Sequence, residues 1–272
     1  MPSPNTITVS QLHRLVGLPD APVLVDVRID EDFDADPWFI PSAFRHPFGQ
    51  IDALAPKLAG RKVVVVCWKG LKLSAGAAAI LRTAGVDAEV LEGGTTAWKE
   101  ADLPRVPAAS IPARNDQGQT VWVTRHRPKI DRIACPWLVR RFVDPSARFL
   151  FVAPSEVTGV AERYGATPFD VEDVFWSHRG ETCSFDTMVA EFGLTTKPLK
   201  RLATIVRGAD TNRHDLAPEA AGLLAASLGL SRMYKDDLRQ LEAGMLLYDA
   251  YYRWARDAVE EGHDWPSASR KG

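Results

Sequence analysis

Four consecutive valines at 63–66 run directly into a cysteine, a glycine-containing turn and an alanine-rich segment: residues 63–74 read VVVVCWKGLKLS and residues 74–85 read SAGAAAILRTAG. An unbroken β-branched run of this kind predicts a strand buried on both faces, which is the environment of a parallel sheet. The following segment has helical composition and predicts a helix over 75–84, with Gly85 as its C-terminal stop. Cys67 therefore stands where a strand hands over to a helix, the usual ligand-binding edge of an open α/β sheet. Loop amides and a helix N-terminus there favour negative charge, and Lys69 and Lys72 add positive charge close by in sequence. The setting suits a thiolate nucleophile; the plainer alternative is a small apolar residue that merely finishes a strand.

Three further stretches bear on that choice. Residues 23–28 read VLVDVR, 38–47 read WFIPSAFRHP, and 90–98 read VLEGGTTAW. With CWKGLKLS they resemble, in order and spacing, the signature stretches of the rhodanese (sulfurtransferase) family, and the resemblance covers about residues 5–105. It implies that Cys67 carries sulfane sulfur as a persulfide, and that Trp68, Lys69, Gly70, Leu71 and Lys72 form the cradle around it. Asp26 and Arg28 match a familiar pair, with Arg28 either helping to hold an anionic donor such as thiosulfate or forming an exposed salt bridge. Related cysteine-dependent phosphatases need a longer loop closed by arginine at the sixth position; Leu73 stands there, which argues against phosphatase chemistry. The stretch at 38–47 departs from the family's usual form in having Phe39 for histidine and Ser42 for glycine, so a local change of turn is expected.

At 272 residues the chain can bury two ordinary cores. Residues 103–119, LPRVPAASIPARNDQGQ, hold three prolines and no periodic apolar pattern, which reads as a linker. The expected organisation is an α/β rhodanese-like domain over 1–105, a parallel sheet with flanking helices, then a linker over 106–119. A mainly helical α+β second domain over 120–272 follows. Its expected elements are strands at 120–124 and 148–152 and helices at 154–164, 184–192, 197–209, 218–228 and 236–259. The last helix carries Leu238, Leu241, Met245, Tyr248, Tyr252 and Ala255 on one stripe, a core face or a homodimer face. The formal charge of −2 gives no bulk attraction for polyanions, no run of eighteen apolar residues spans a membrane, and the N-terminus lacks the pattern of a secretory leader. Three isolated cysteines fit no disulfide framework and point to the reducing cytoplasm.

The second half offers two candidate chemical sites. In residues 125–144, RHRPKIDRIACPWLVRRFVD, proline at 136 predicts a helix beginning there, since proline suits a first helical position. Cys135 would then cap bare amides with Arg132 nearby, a site for an anion or thiolate, or else a simply buried residue. In residues 175–186, FWSHRGETCSFD, His178, Glu181, Cys183 and Asp186 are potential metal ligands in a spacing that matches no standard zinc pattern. Asp210 and His214 could complete a divalent-metal site from elsewhere in the fold; the alternative is a polar loop that satisfies itself.

The phrases KIDRIACPWLVRRFVDPSA, FWSHRGETCSFD and IVRGADTNRHDLAPEAAGLLA resemble the C-terminal domain of the chromate-resistance protein family (ChrB type), over about residues 120–262. Two functions follow from the pair of resemblances. One is a cytoplasmic sulfurtransferase that needs no cofactor for sulfur transfer and acts on thiosulfate or chromate as small tetrahedral anions, with a thiol as sulfur acceptor. The other is a chromate- or metal-responsive regulator with a non-catalytic rhodanese-like module. Residues 125–148 hold seven Lys/Arg against two Asp/Glu, but no helix-turn-helix pattern accompanies them, which argues against nucleic acid as a partner.

Overall fold

The computed structural model describes residues 5–262, so the outermost limits of the two expected domains, 1 and 272, lie outside the described residues. The first half is a five-stranded, all-parallel sheet. Its order is Thr6–Ile7, Asp87–Leu91, Lys62–Val66, Val23–Asp26, Phe44–Arg45. Lys62–Val66 lies at the centre, and its valines divide between two cores as strand alternation requires. Val63 and Val65 pack with Cys67 against Ala77, Ala78 and Leu81 of the helix Lys72–Thr83. Val64 and Val66 face the opposite way, toward Leu12, Leu91 and Trp98. The expected helix over 75–84 begins three residues earlier, at Lys72.

That second core does not end with the first half. It runs without interruption into Trp122, Trp137, Phe142, Phe185, Tyr248 and Tyr252. The second half has a three-stranded parallel sheet, ordered Thr167–Pro168, Val121–Arg125, Arg148–Val152. The helices Asp131–Leu138, Ser184–Glu191, Lys197–Asp210, Glu219–Met233 and Asp237–Asp257 make up most of the rest. Of the stripe expected on the last helix, Leu241, Met245, Tyr248, Tyr252 and Ala255 are buried in the core while Leu238 is exposed. Trp137 anchors the helical layer: its Nε1 donates to Asp249 Oδ1 at 2.7 Å, and Arg141 grips the same carboxylate with two bonds of 2.8 Å.

The segment between the halves is held against them. Val106–Pro107 pairs antiparallel with Trp38–Phe39 and Val106 is fully buried. Arg114 bridges to Asp144 at 3.1 Å, and the Thr120 amide donates to the same carboxylate at 2.7 Å. The turn at Ser42, for which a local change was expected, keeps the left-handed backbone that suits a glycine, with φ 68°. A non-glycine residue there costs about 1–2 kcal/mol, and its amide is fixed by donating to the Phe142 carbonyl at 2.6 Å.

Candidate functional site

Cys67 lies immediately beyond the central strand and is 4% exposed. Its Sγ is 3.1 Å from the Ser74 hydroxyl at the third position of the following helix. The loop that separates them is shaped by contact with the turn after Asp87–Leu91. The Cys67 carbonyl accepts from the Thr95 amide at 3.0 Å, and the Trp68 carbonyl from the Thr96 amide and hydroxyl at 3.0 and 2.8 Å. Because a trans peptide sets its C=O and N–H in opposite directions, the Trp68 and Lys69 amides are turned away from the helix Gly94–Glu100 that carries Thr95 and Thr96. Among the described residues, no backbone or side-chain acceptor takes the amides of residues 68–73. The close approach needs glycine on both sides. A Cβ on Gly94, whose φ is 60°, would lie 2.1 Å from the Cys67 carbonyl and 2.5 Å from the Gly70 amide nitrogen. A Cβ on Gly70 would lie 2.3 Å from the Leu91 carbonyl.

Lys69, Leu71 and Lys72 are exposed on the loop rim, and Trp68 and Gly70 are half-buried. Arg28 does not join them. Its side chain is fully buried, gripping Asp26 at 2.6 and 2.9 Å and donating to the Asp36 and Trp38 carbonyls at 2.9 and 2.8 Å. With the guanidinium so occupied, Arg28 is a structural pin between strand and loop, neither an anion ligand nor an exposed salt bridge.

In the second half the expectation at Cys135 is overturned. The helix begins at Asp131, a full turn before Pro136, because Ile130 adopts a left-handed backbone (φ 45°) and its carbonyl accepts from Ala134 at 2.8 Å. Pro136 therefore sits inside the helix, and a π-helical turn Val139–Val143 follows it. Cys135 is fully buried in the helix interior and caps nothing. Burial, and then the Asp131, Asp170 and Asp210 carboxylates, push its thiol well above the ordinary range. Arg132 turns instead to Asp170, 3.3 Å from its Nε, and to the His126 carbonyl.

Of the expected metal-ligand set, His178 and Asp210 come together and the others do not. His178 Nε2 lies 3.3 Å from Asp210, 3.4 Å from Asp170 and 3.6 Å from Asp131. Cys183 is the buried N-cap of Ser184–Glu191, donating its thiol to Asp186 at 3.3 Å while Asp186 takes the Cys183 amide. Burial followed by Asp131 and Asp186 raises the Cys183 thiol well above the usual value. Asp186 is further tied to Arg207; Glu181 and His214 are exposed outside the cluster.

Asp131 and Asp170 carry no local signal in the sequence, because they lie 39 positions apart and neither neighbours His178; the start of the helix Asp131–Leu138 and the chain just beyond the strand Thr167–Pro168 bring them together. Asp131 is completely buried. Its Oδ2, the oxygen facing His178, accepts the Ser184 amide at 2.6 Å, and among the described residues its Oδ1 has no hydrogen-bond partner. Burial, with the Asp210 and Asp170 charges, raises its carboxyl well above the normal range. Burial alone would raise Asp170 too, but hydrogen bonds from His178 and Ser184 and the Arg132 and Arg125 charges bring it below. His178, hydrogen-bonded to Asp170 and Asp210, is raised to about 10.

The basic stretch at 125–148 is largely consumed within the fold. Arg125 and Arg132 face Asp170, Arg127 donates to the Ser231 and Tyr234 carbonyls, Arg140 pairs with Glu242, and Arg141 with Asp249.

Residues 8–101 match the model of the rhodanese-like domain, and residues 122–255 match that of the ChrB C-terminal domain. Protein ChrB of Cupriavidus metallidurans is 34% identical over 158 residues, 54% of this chain and 45% of its own length. An uncharacterized protein, slr1261, of Synechocystis is 36% identical over 107 residues, 39% of this chain and 56% of its own. The chain thus spans about half the length of each of these two relatives. Among solved structures, a rhodanese-related protein from Thermoplasma volcanium is 24% identical, covering 38% of this chain and 97% of that one with a TM-score of 0.33. A rhodanese-like domain protein from Staphylococcus aureus is 32% identical, covering 35% and 90%, with a TM-score of 0.31. The chain therefore joins a rhodanese-like domain over residues 8–101 to a ChrB C-terminal domain over residues 122–255.

Proposed function

We propose that this protein is a cytoplasmic sulfurtransferase working in chromate resistance, with Cys67 as its sulfur carrier. The observation that carries the proposal is the placement of Cys67 Sγ beside the Ser74 hydroxyl, under a loop whose amides at 68–73 have no acceptor among the described residues. Such amides favour an anion at the loop's centre. In the first step the Cys67 thiolate attacks the outer sulfur of thiosulfate; a sulfur–sulfur bond forms to Cys67 and sulfite leaves with the electron pair of the broken bond. In the second, an acceptor thiolate or cyanide attacks the outer sulfur of the persulfide, and Cys67 departs as thiolate. The loop amides and the Ser74 hydroxyl stabilise the anionic sulfur at both stages, and Lys69 and Lys72 on the rim attract the dianionic donor. The ChrB-like half supports the link to chromate, a tetrahedral dianion of the same charge class as thiosulfate. Free cysteines at 67, 135 and 183 agree with a reducing compartment, and among the described residues no helix is long and apolar enough to cross a membrane.

The test is thiocyanate formation from thiosulfate and cyanide by the wild type and Cys67→Ser. Turnover lost in the variant supports the proposal; equal turnover in both, or none in the wild type, removes it.

A further inference from the structure

We infer that Asp131, Asp170 and His178 form a binding site for a divalent first-row transition-metal ion, flanked by Asp210. The three residues arrive from separate parts of the chain: the first residue of a helix, the position two residues beyond the strand Thr167–Pro168, and the loop before Ser184–Glu191. One ligand atom from each lies within 4.8 Å of the others. The separations of Nε2 from the Asp170 and Asp131 oxygens, 3.4 and 3.6 Å, are close to the edge of a tetrahedron built on bonds of about 2.1 Å. Two carboxylates and an imidazole make a mixed oxygen and nitrogen donor set, of the kind that takes manganese, iron or zinc.

A separate observation points to a missing ligand. Asp131 has no exposed side-chain surface; its Oδ2 faces His178 and accepts the Ser184 amide, while its Oδ1, the other oxygen of the same carboxyl, lacks any hydrogen-bond partner among the described residues. A buried carboxylate oxygen in that state is costly, and a bound cation would satisfy it. The surrounding groups hold the donors in place as outer partners of a metal site do. The Ser184 amide fixes Asp131, and the Ser184 hydroxyl holds Asp170 Oδ1 at 2.8 Å. Arg125 and Arg132 engage the other oxygen of Asp170, each at 3.3 Å. His178 is 41% exposed and Asp210 21%, so an ion reaches the cluster from solvent past these two side chains. Of the neighbouring thiols, Cys135 lies in the helix interior, and Cys183 donates to Asp186 while also lying against the Asp131 carboxyl.

The experiment is titration of chelator-treated full-length protein with Mn²⁺, followed by electron paramagnetic resonance of the free ion and by Tm. The wild type, Cys67→Ser, His178→Ala and Asp131→Asn are compared, with circular dichroism to check folding. The expected result is one ion per chain and a Tm that rises with Mn²⁺ in the wild type and in Cys67→Ser. His178→Ala should bind at least about tenfold more weakly, and Asp131→Asn should remain folded without the Mn²⁺-dependent rise. His178 is half in solvent, so its variant keeps the comparison informative if Asp131→Asn does not fold. No Mn²⁺ binding by the wild type, or undiminished binding by His178→Ala, would overturn the assignment.

Discussion

Cys67 Sγ and Ser74 Oγ stand 3.1 Å apart, and the same hydroxyl also lies 3.1 Å from the Leu71 carbonyl. Ser74 can therefore give its proton to the carbonyl while the sulfur is neutral and to the sulfur when it is anionic. A hydrogen bond to a charged group contributes about 1.5–3 kcal/mol. Ser74→Ala should accordingly lower kcat/KM for thiosulfate by about 10–100-fold, with the Tm little changed. Ser74→Thr, which keeps a hydroxyl, should recover part of the loss.

Gly94→Ala tests the packing that aims the loop. An added Cβ meets the Cys67 and Trp68 carbonyls at 2.1 and 2.7 Å from a left-handed backbone, so the destabilisation should exceed about 1 kcal/mol. Turnover should fall with it, since the obstructed atoms belong to the cradle. Gly76→Ala is the contrast: its Cβ meets nothing within 4 Å, and in a helix interior alanine is favoured by about 0.5–1 kcal/mol. Thermal denaturation of the two variants should show shifts of opposite sign.

Phe142 joins the two halves. Its carbonyl accepts from Ser42, and its ring lies so close to Gly17 that a Cβ there would be 2.3 Å from Cζ. Phe142→Ala should cost about 3–5 kcal/mol. Hydrogen exchange should accelerate in the Val23–Asp26 and Lys62–Val66 strands as well as in Asp237–Asp257. Acceleration confined to the second half would show that the halves unfold independently.

Asp144 ties the segment before the second sheet to that sheet. Burial alone would raise its carboxyl, but Arg114, the Thr120 amide and the Ser146 and Thr120 hydroxyls together bring it below the reference of 3.8. A depressed carboxyl contributes stability above its unfolded value and loses it as pH falls through the folded one. Asp144→Asn should therefore be less stable than the wild type at pH 7, and the difference should shrink below about pH 4. Urea midpoints across that range measure it; a difference independent of pH would mean that the charge contributes nothing.

The first half was readable because its signals are local. The valine run, the alanine-rich helix and the paired glycines each lie within one element, and adjacent residues fix the position of Cys67. The second half was readable as helices and two strands but not as a site, for three reasons. Pro136 pointed to a helix start that the left-handed Ile130 moves upstream to Asp131. Cys183 and Asp186, neighbours of His178 in sequence, spend their polar groups capping a helix. The carboxylates that do reach His178 come from residues 131, 170 and 210, and only the folded chain brings them together. Arg28 shows the same limit on a small scale: its motif marks the residue, while the carbonyls of Asp36 and Trp38 decide what it does.

The most direct test is the intact mass of the protein after incubation with thiosulfate, with peptide mapping to locate any added atom. The expected result is one extra sulfur on Cys67, removed by cyanide and absent from Cys67→Ser. No added sulfur on the wild type, or the same addition on Cys67→Ser, would contradict a sulfur-carrying role for Cys67.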